Sequence, residues 1–298
     1  MRIGLQIPKF TWPGGPAALA PKLAEIAQTA EDAGFDSLWV MDHFFQLPGL
    51  GQADEPMLEG YSALTYLAAV TNRVKLGTLV TGVIYRQPAF LIKQVTNLDV
   101  LSGGRAYFGV GAAWFEREAR GLGFPYPEIK VRFEWLEETL QLAHQMWSGD
   151  TQPFNGKHFQ LAEPICQPQP VSQPHPPIML GGMGETKTLR FVAQYADACN
   201  LFARVGNDVL KHKLEVLQGH CEALGRPYAA IEKTALTSAF LGVNDAEYNR
   251  TPAEIVETCR GLADLGFDHV IFNLPVNVHE ITPLEVFGRE ILPVVADF

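Results

Sequence analysis

The chain alternates short apolar runs with longer amphipathic stretches from one end to the other. Arg2 to Ile7 is an apolar run of strand length, and Ala17 to Ala33 carries helical spacing up to Gly34. Phe35 to Met41 predicts a second strand and Tyr61 to Thr71 a second helix. Val74 to Val80 predicts a third strand, followed by a helix from Pro88 to Leu101 with proline in its first turn. Arg105 to Val110 reads as the fourth strand. Val131 to Trp147 is a strongly amphipathic helix, because Phe133, Leu136, Leu140, Ala143 and Trp147 share one face. After a proline-rich passage from Glu163 to Pro177, strands are expected at Ile178 to Leu180, Ala198 to Phe202, Lys233 to Leu241 and His269 to Asn273. The helices among and after them are Lys187 to Tyr195, Asp208 to Leu224, one capped by Thr251-Pro252 and running to Leu265, and Pro283 to Val295.

Strict alternation of strands and helices implies a parallel sheet covered by helices. Eight such units in somewhat over 250 residues fit an α/β fold of the (β/α)8 TIM-barrel type, one domain over residues 1–298 with insertions at its C-terminal mouth. An open doubly wound sheet would want a glycine-rich turn after the first strand, but Pro8-Lys9-Phe10-Thr11-Trp12 stands there. Gly109-Val-Gly111-Ala-Ala-Trp114 lacks the third glycine and follows strand four. The segments Asp42 to Gly60, Gly111 to Lys130 and Gly149 to Pro177 exceed what a barrel needs, and the last holds a hairpin signal at Phe154 to His158.

Composition narrows the class. With 298 residues, 47% of them hydrophobic, the chain can bury a large core without staples. Cys166, Cys199, Cys221 and Cys259 form no close pair, which predicts reduced thiols and a cytoplasmic location. MRIGLQIPKF has no secretory character, and no apolar block of membrane-spanning length occurs, so no membrane partner is expected. A formal charge of −10 argues against a nucleic-acid partner. It leaves room for an anionic ligand, since a local nest of backbone N–H groups can hold a phosphate.

In a barrel of this kind the reactive groups stand at the C-terminal ends of strands. Strand two ends on Asp42-His43, which reads either as a catalytic pair or as surface groups satisfying local backbone. Strand three ends Gly77-Thr78-Leu79-Val80-Thr81-Gly82, small enough to admit a flat ligand, or else a plain turn. Strand four ends in small residues, Gly111, Ala112 and Ala113, beside Trp114. Strand five ends Gly181-Gly182-Met183-Gly184-Glu185 and feeds a helix, which suits either a phosphate cradle or simple capping. No metal-ligand spacing and no nucleophile elbow is present, so no metal site is expected.

The ordered segments GFDSLWVMDHF, VKLGTLVTGVIYRQP, RAYFGVGAAW, RFEWLEETLQLAHQMWSG, PPIMLGGMGETKTLRFVAQYADACNLF and GFDHVIFNLP together resemble the bacterial luciferase-like superfamily, in particular its coenzyme F420-dependent oxidoreductases. The resemblance covers nearly the whole length. It implies a usually homodimeric barrel with an isoalloxazine-like ring across the mouth, Asp42-His43 beside that ring, and a strand-three bulge at Leu79-Val80 that often carries a non-prolyl cis peptide. It further implies that Gly111 to Trp114 line the ring's side and that Gly181 to Glu185 take the phosphate.

The chain departs from the dehydrogenases of this family, which carry a catalytic Glu just after the strand-four glycines. Trp114 stands near that point, and Phe115 replaces a common Asn, which favours reductase or monooxygenase chemistry. The expected activity is hydride transfer between F420 and a small apolar organic substrate, with Asp42 orienting the His43 imidazole. Phe44, Phe45, Leu47, Leu50, Phe115 and Phe124 in the mouth loops suggest the apolar substrate. The alternatives are an FMN-dependent monooxygenase with a separate reductase as partner, and a flavin-binding protein without turnover.

Overall fold

The computed structural model describes residues 1–242 and 249–298. Its elements follow the predicted alternation. Strand β1 (Arg2–Ile7) leads to α1 (Pro16–Ala33), β2 (Ser37–Val40) to α2 (Gly60–Val70), and β3 (Lys75–Thr78) with β4 (Thr81–Gly82) to α3 (Pro88–Ser102). Strand β5 (Ala106–Gly111) is followed by α4 (Glu116–Gly121), α5 (Ile129–Ser148) and a two-stranded antiparallel hairpin, β6 (Phe154–Asn155) with β7 (Gln160–Leu161). Then come β8 (Ile178–Gly181), α6 (Thr188–Tyr195), β9 (Ala198–Phe202), α7 (Asn207–Leu224) and β10 (Glu232–Ser238). The chain ends with α8 (Pro252–Asp264), β11 (His269–Asn273), α9 (Ile281–Val286), a π turn (Phe287–Ile291) and α10 (Leu292–Val295). The helix expected from Pro283 to Val295 is present, with a π turn widening its middle. Helix α4 was not foreseen, because six residues, four of them charged, carry no apolar periodicity.

The strands run in the order β3-β2-β1-β11-β10-β9-β8-β5, all parallel, and β3 pairs with β5 to close the barrel. Strands β3 and β4 are two pieces of one barrel strand. Gly77 pairs with Tyr107 and Thr81 with Val110, so four steps on one side face three on the other. The extra residue makes a β-bulge at Leu79-Val80, and the peptide between them is cis.

Alternation decides what fills the barrel. Trp39, Tyr107, Met179, Ala198 and Ile271 point inward and pack together, with Leu79, Val80 and Leu236 above them. Gly77 and Gly4 make room for the Trp39 ring: a Cβ at Gly77 would lie 2.6 Å from it, and one at Gly4 3.0 Å from its Nε1. Beneath, a polar network plugs the N-terminal end. The Trp39 indole donates to Ser37 Oγ at 2.7 Å, Ser37 Oγ lies 3.0 Å from His269 Nε2, and His269 Nδ1 lies 3.0 Å from Glu232. Tyr107 and Arg2 complete the shell of Glu232. Side chains thus close the barrel interior at its N-terminal end, and the candidate site residues stand at the opposite, C-terminal end.

All four cysteines are buried and unpaired. Among the described residues no helix is long and apolar enough to cross a membrane, and no cluster of His, Cys, Asp or Glu is placed to hold a metal.

Candidate functional site

The floor of the mouth is the top inward layer of the barrel. On β5 and β8 that layer is glycine, Gly111 and Gly181, and the reason is Val80. A Cβ on Gly181 would lie 2.8 Å from the Val80 side chain, and one on Gly111 3.1 Å from it. Val80 therefore leans from the bulge across the barrel towards β5 and β8, and both Leu79 and Val80 keep part of their surface open. Beside them Gln6 donates to Leu79 O at 3.4 Å, and Asn273 donates to Gln6 Oε1 at 3.3 Å. The Oδ1 of Asn273 is buried and has no hydrogen-bond partner among the described residues. An unpaired buried acceptor costs about 1–3 kcal/mol, so a donor on a bound molecule would be rewarded there.

Thr78 and Thr81, expected to face a ligand, are fully buried and turn away from the mouth. Thr78 donates to Gly109 O at 3.0 Å, which uses its only proton. Thr81 must then donate to Thr78 across 2.7 Å, and the Tyr61 hydroxyl to Thr81 across 2.9 Å. The two threonines brace the bulge from behind. Gly82 is likewise buried, beneath Tyr85 and Ala113.

Asp42 and His43 separate just as sharply. Asp42 is 1% exposed, and both its oxygens accept from Arg86, at 2.7 and 2.8 Å. Arg86 also binds Glu59, which caps α2, and lies over the Tyr61 ring at 4.9 Å. Burial, the largest influence, pushes the Asp42 carboxyl upward, yet two parallel bonds from a guanidinium are the geometry of an ionised carboxylate. Asp42 does not orient His43. The physical reason is occupancy: Arg86 binds both carboxylate oxygens of Asp42, and His43 Nδ1 meets Glu118 instead.

The orienting group is Glu118, which the sequence did not reveal. Its Oε1 lies 3.0 Å from His43 Nδ1 and accepts from the Tyr85 hydroxyl. Its Oε2 accepts from the backbone N–H of Phe44 at 2.5 Å and of Phe45 at 2.6 Å. Burial alone would raise the Glu118 carboxyl, but the hydrogen bonds from His43, Phe45 N–H and Tyr85 together hold it below the ordinary carboxylate value. Glu118 sits in the first turn of α4, so one carboxylate ties the loop after β2 to the loop after β5.

Aromatic rings wall this corner. His43 meets Trp114 and Phe115 edge-on, each at 5.8 Å, and those two rings stack at 5.1 Å. Phe44 stacks on Phe124 at 5.3 Å, with Tyr85 against both. Trp114 remains 60% exposed at the rim. Ahead of it Ala113 takes φ +64°, a left-handed conformation uncommon for a residue with a side chain. Arg132 grips the Ala113 carbonyl at 2.5 Å and lies near that of Ala112, while Tyr126 donates to Trp114 O at 2.9 Å.

Across the mouth, Gly182 to Glu185 lead into α6. Gly182 has φ +122° and donates to Asn200 O at 3.2 Å. Among the described residues the N–H groups of Met183, Gly184 and Glu185 donate to no backbone carbonyl. The Glu185 side chain turns to α7, where the Lys213 ammonium lies at 2.5 Å and His212 Nε2 at 3.1 Å, Lys213 foremost in lowering its pKa. The loop thus offers amide hydrogens with its one acidic side chain withdrawn.

The luciferase-like monooxygenase family model matches residues 1–258. An F420-dependent glucose-6-phosphate dehydrogenase of Kineococcus radiotolerans is 31% identical over 248 residues, which is 82% of this chain and 69% of that protein. A pyrimidine monooxygenase of Acinetobacter baylyi is 30% identical over 199 residues, 63% of this chain and 53% of its own. The coenzyme F420-dependent tetrahydromethanopterin reductase of Methanopyrus kandleri has the same fold, with a TM-score of 0.79 at 17% identity over 98% of each chain. By fold, mouth and extent of match, the chain belongs to the luciferase-like monooxygenase family.

Proposed function

We propose that this protein is an F420-dependent oxidoreductase that transfers hydride between the deazaflavin and a small apolar organic substrate. The observation that carries the reading is the mouth itself: Val80 leaning over two glycines at the ends of β5 and β8, with His43, held by Glu118, following β2.

The residues fit the group on two counts. Side chains at Gly111 or Gly181 would displace Val80, so the floor beneath a planar ring is kept flat by sequence. The amide hydrogens of Met183 to Glu185, with the Glu185 carboxylate drawn off to Lys213, suit a phosphate. Leu79, Val80, Gly111, Ala112 and Ala113 would hold the ring, and Gly181 to Glu185 the phosphate. When bound, F420 supplies the carbon centre that gives or takes hydride. The chain's part is to orient, to exclude water with the aromatic wall, and to handle a proton at His43.

Trp114, Phe115, Phe44 and Phe124 offer apolar faces beside His43, which is the basis for an apolar substrate. The proposal carries with it a single-domain enzyme, homodimeric as the family resemblance implies and cytoplasmic as the scattered cysteines predict, and sizing of the purified protein tests the dimer. FMN shares the ring shape and a phosphate, so an FMN-using monooxygenase served by a separate reductase is the second reading, in line with the pyrimidine monooxygenase relative.

Parallel fluorescence titrations of the apo-protein with F420 and FMN decide between them. Preferential binding of F420 is the expected result; preference for FMN selects the second reading, and binding of neither removes both. Gly184→Asp is expected to weaken cofactor binding about tenfold, or about 1.4 kcal/mol, by placing an anion among the cradle amides. Gly184 suits this test because it is exposed and lacks the positive φ that would strain a side chain at Gly182. An unchanged dissociation constant would remove the phosphate from this loop.

A further inference from the structure

We infer that Glu118 is a positioning residue that fixes the tautomer of His43, keeping a proton on Nδ1 and leaving Nε2 as the ring nitrogen that exchanges protons with a bound molecule. The inference deepens the proposed function and rests on His43 working at that mouth, but its first test needs no cofactor.

The argument is a count of donors. An ionised carboxylate can only accept. Glu118 Oε2 receives the Phe44 and Phe45 N–H groups, and Oε1 receives Tyr85 and faces His43 Nδ1 at 3.0 Å. The Glu118 side chain has no exposed surface, so no solvent can mediate a mismatch there. Were Nδ1 bare, two lone pairs would meet at that distance inside the protein. Neutral His43 therefore holds its proton on Nδ1, and its basic lone pair is on Nε2. When Nε2 takes a proton, a donor O–H or N–H of the bound molecule breaks, an Nε2–H bond forms, and the imidazolium is left against the Glu118 carboxylate. The return path is the reverse. Trp114 and Phe115 pack edge-to-face against the ring and oppose a flip that would turn Nδ1 away from Glu118.

The same count predicts what an isosteric change does. In Glu118→Gln the Phe44 and Phe45 N–H groups, fixed by the backbone, still require an oxygen. The carbonyl oxygen of the new amide then takes the Oε2 position, and its NH2 faces His43 Nδ1. Nδ1 must become the acceptor, so the proton moves to Nε2. Shape is kept, but the basic nitrogen is lost from the mouth, and turnover should fall roughly 100-fold or more, the usual worth of a positioned general base.

The test is 15N NMR of the full chain labelled at histidine, with the His43 signals assigned by their loss in His43→Gln. The expected result is an Nδ1–H tautomer in the unaltered protein and in Tyr85→Phe, which keeps the carboxylate, and an Nε2–H tautomer in Glu118→Gln. An Nε2–H tautomer in the unaltered protein overturns the inference, as does an unshifted tautomer in Glu118→Gln. If Glu118→Gln does not fold, the unaltered protein and Tyr85→Phe still decide. Because these spectra are taken without cofactor, failure of F420 to bind would leave the tautomer result standing, and the two outcomes can be told apart.

Discussion

His43→Ala is expected to cut turnover by roughly 10²–10⁴-fold while leaving the cofactor dissociation constant within about twofold, because a positioned acid or base acts in the transition state and adds little to ground-state binding. The geometry supports this separation of effects. His43 has one nitrogen committed to Glu118 and its ring wedged against Trp114 and Phe115, whereas the floor and cradle are made by other segments, the bulge and the loop before α6. The side chain is 12% exposed, so it is reached from the mouth and not from bulk solvent at large. Single-turnover oxidation of bound reduced cofactor by a competent acceptor measures the first quantity, and fluorescence titration the second. Equal losses in rate and affinity would make His43 a binding residue, and an unchanged rate would take it out of the chemistry.

Asp42→Ala is expected to lower the unfolding free energy by about 3 kcal/mol, the low end of the cost of orphaning a buried charge. Arg86 is 6% exposed on its side chain and holds Asp42 bidentately. Removing the carboxylate leaves the guanidinium buried with Glu59 as its remaining anion, which is why the loss should sit at the low end. The double variant Asp42→Ala with Arg86→Met should recover most of the stability, since a buried pair replaced by apolar groups is often neutral. Urea unfolding of the two variants gives the comparison. If Asp42→Ala unfolds with unaltered stability, Arg86 has another partner and the residue next to His43 regains a claim to a direct role.

The two residues of the Asp42-His43 pair therefore do different work, and nothing local in the sequence separates them. Both stand at the end of β2, where barrel architecture puts reactive groups, so their importance was legible while their division of labour was not. The same holds for the third strand. Small residues around Leu79-Val80 indicated a place for a flat ligand, but Thr78 and Thr81 brace the bulge from outside, and the mouth is left to Leu79 and Val80. Glu118 lies in a charged six-residue helix within the insertion after β5, where no periodicity marks an inward-facing side chain.

The sequence by itself determined the architecture, because each strand and most helices announce themselves over a few residues. An apolar run such as His269–Asn273 must be buried on both faces, and a stripe such as that of α5 must face a sheet. Eight repeats of that local logic leave a closed barrel as the compact arrangement. Only the tertiary structure decided the pairings. His43 and Glu118 are 75 positions apart, Arg86 and Asp42 44, and Asn273 and Gln6 267. Hydrogen bonds between such distant groups depend on which strand ends the closed barrel brings together, and on which side of each strand a side chain leaves. Periodicity encodes burial along a segment; which buried carboxylate meets which donor is settled only when the segments meet.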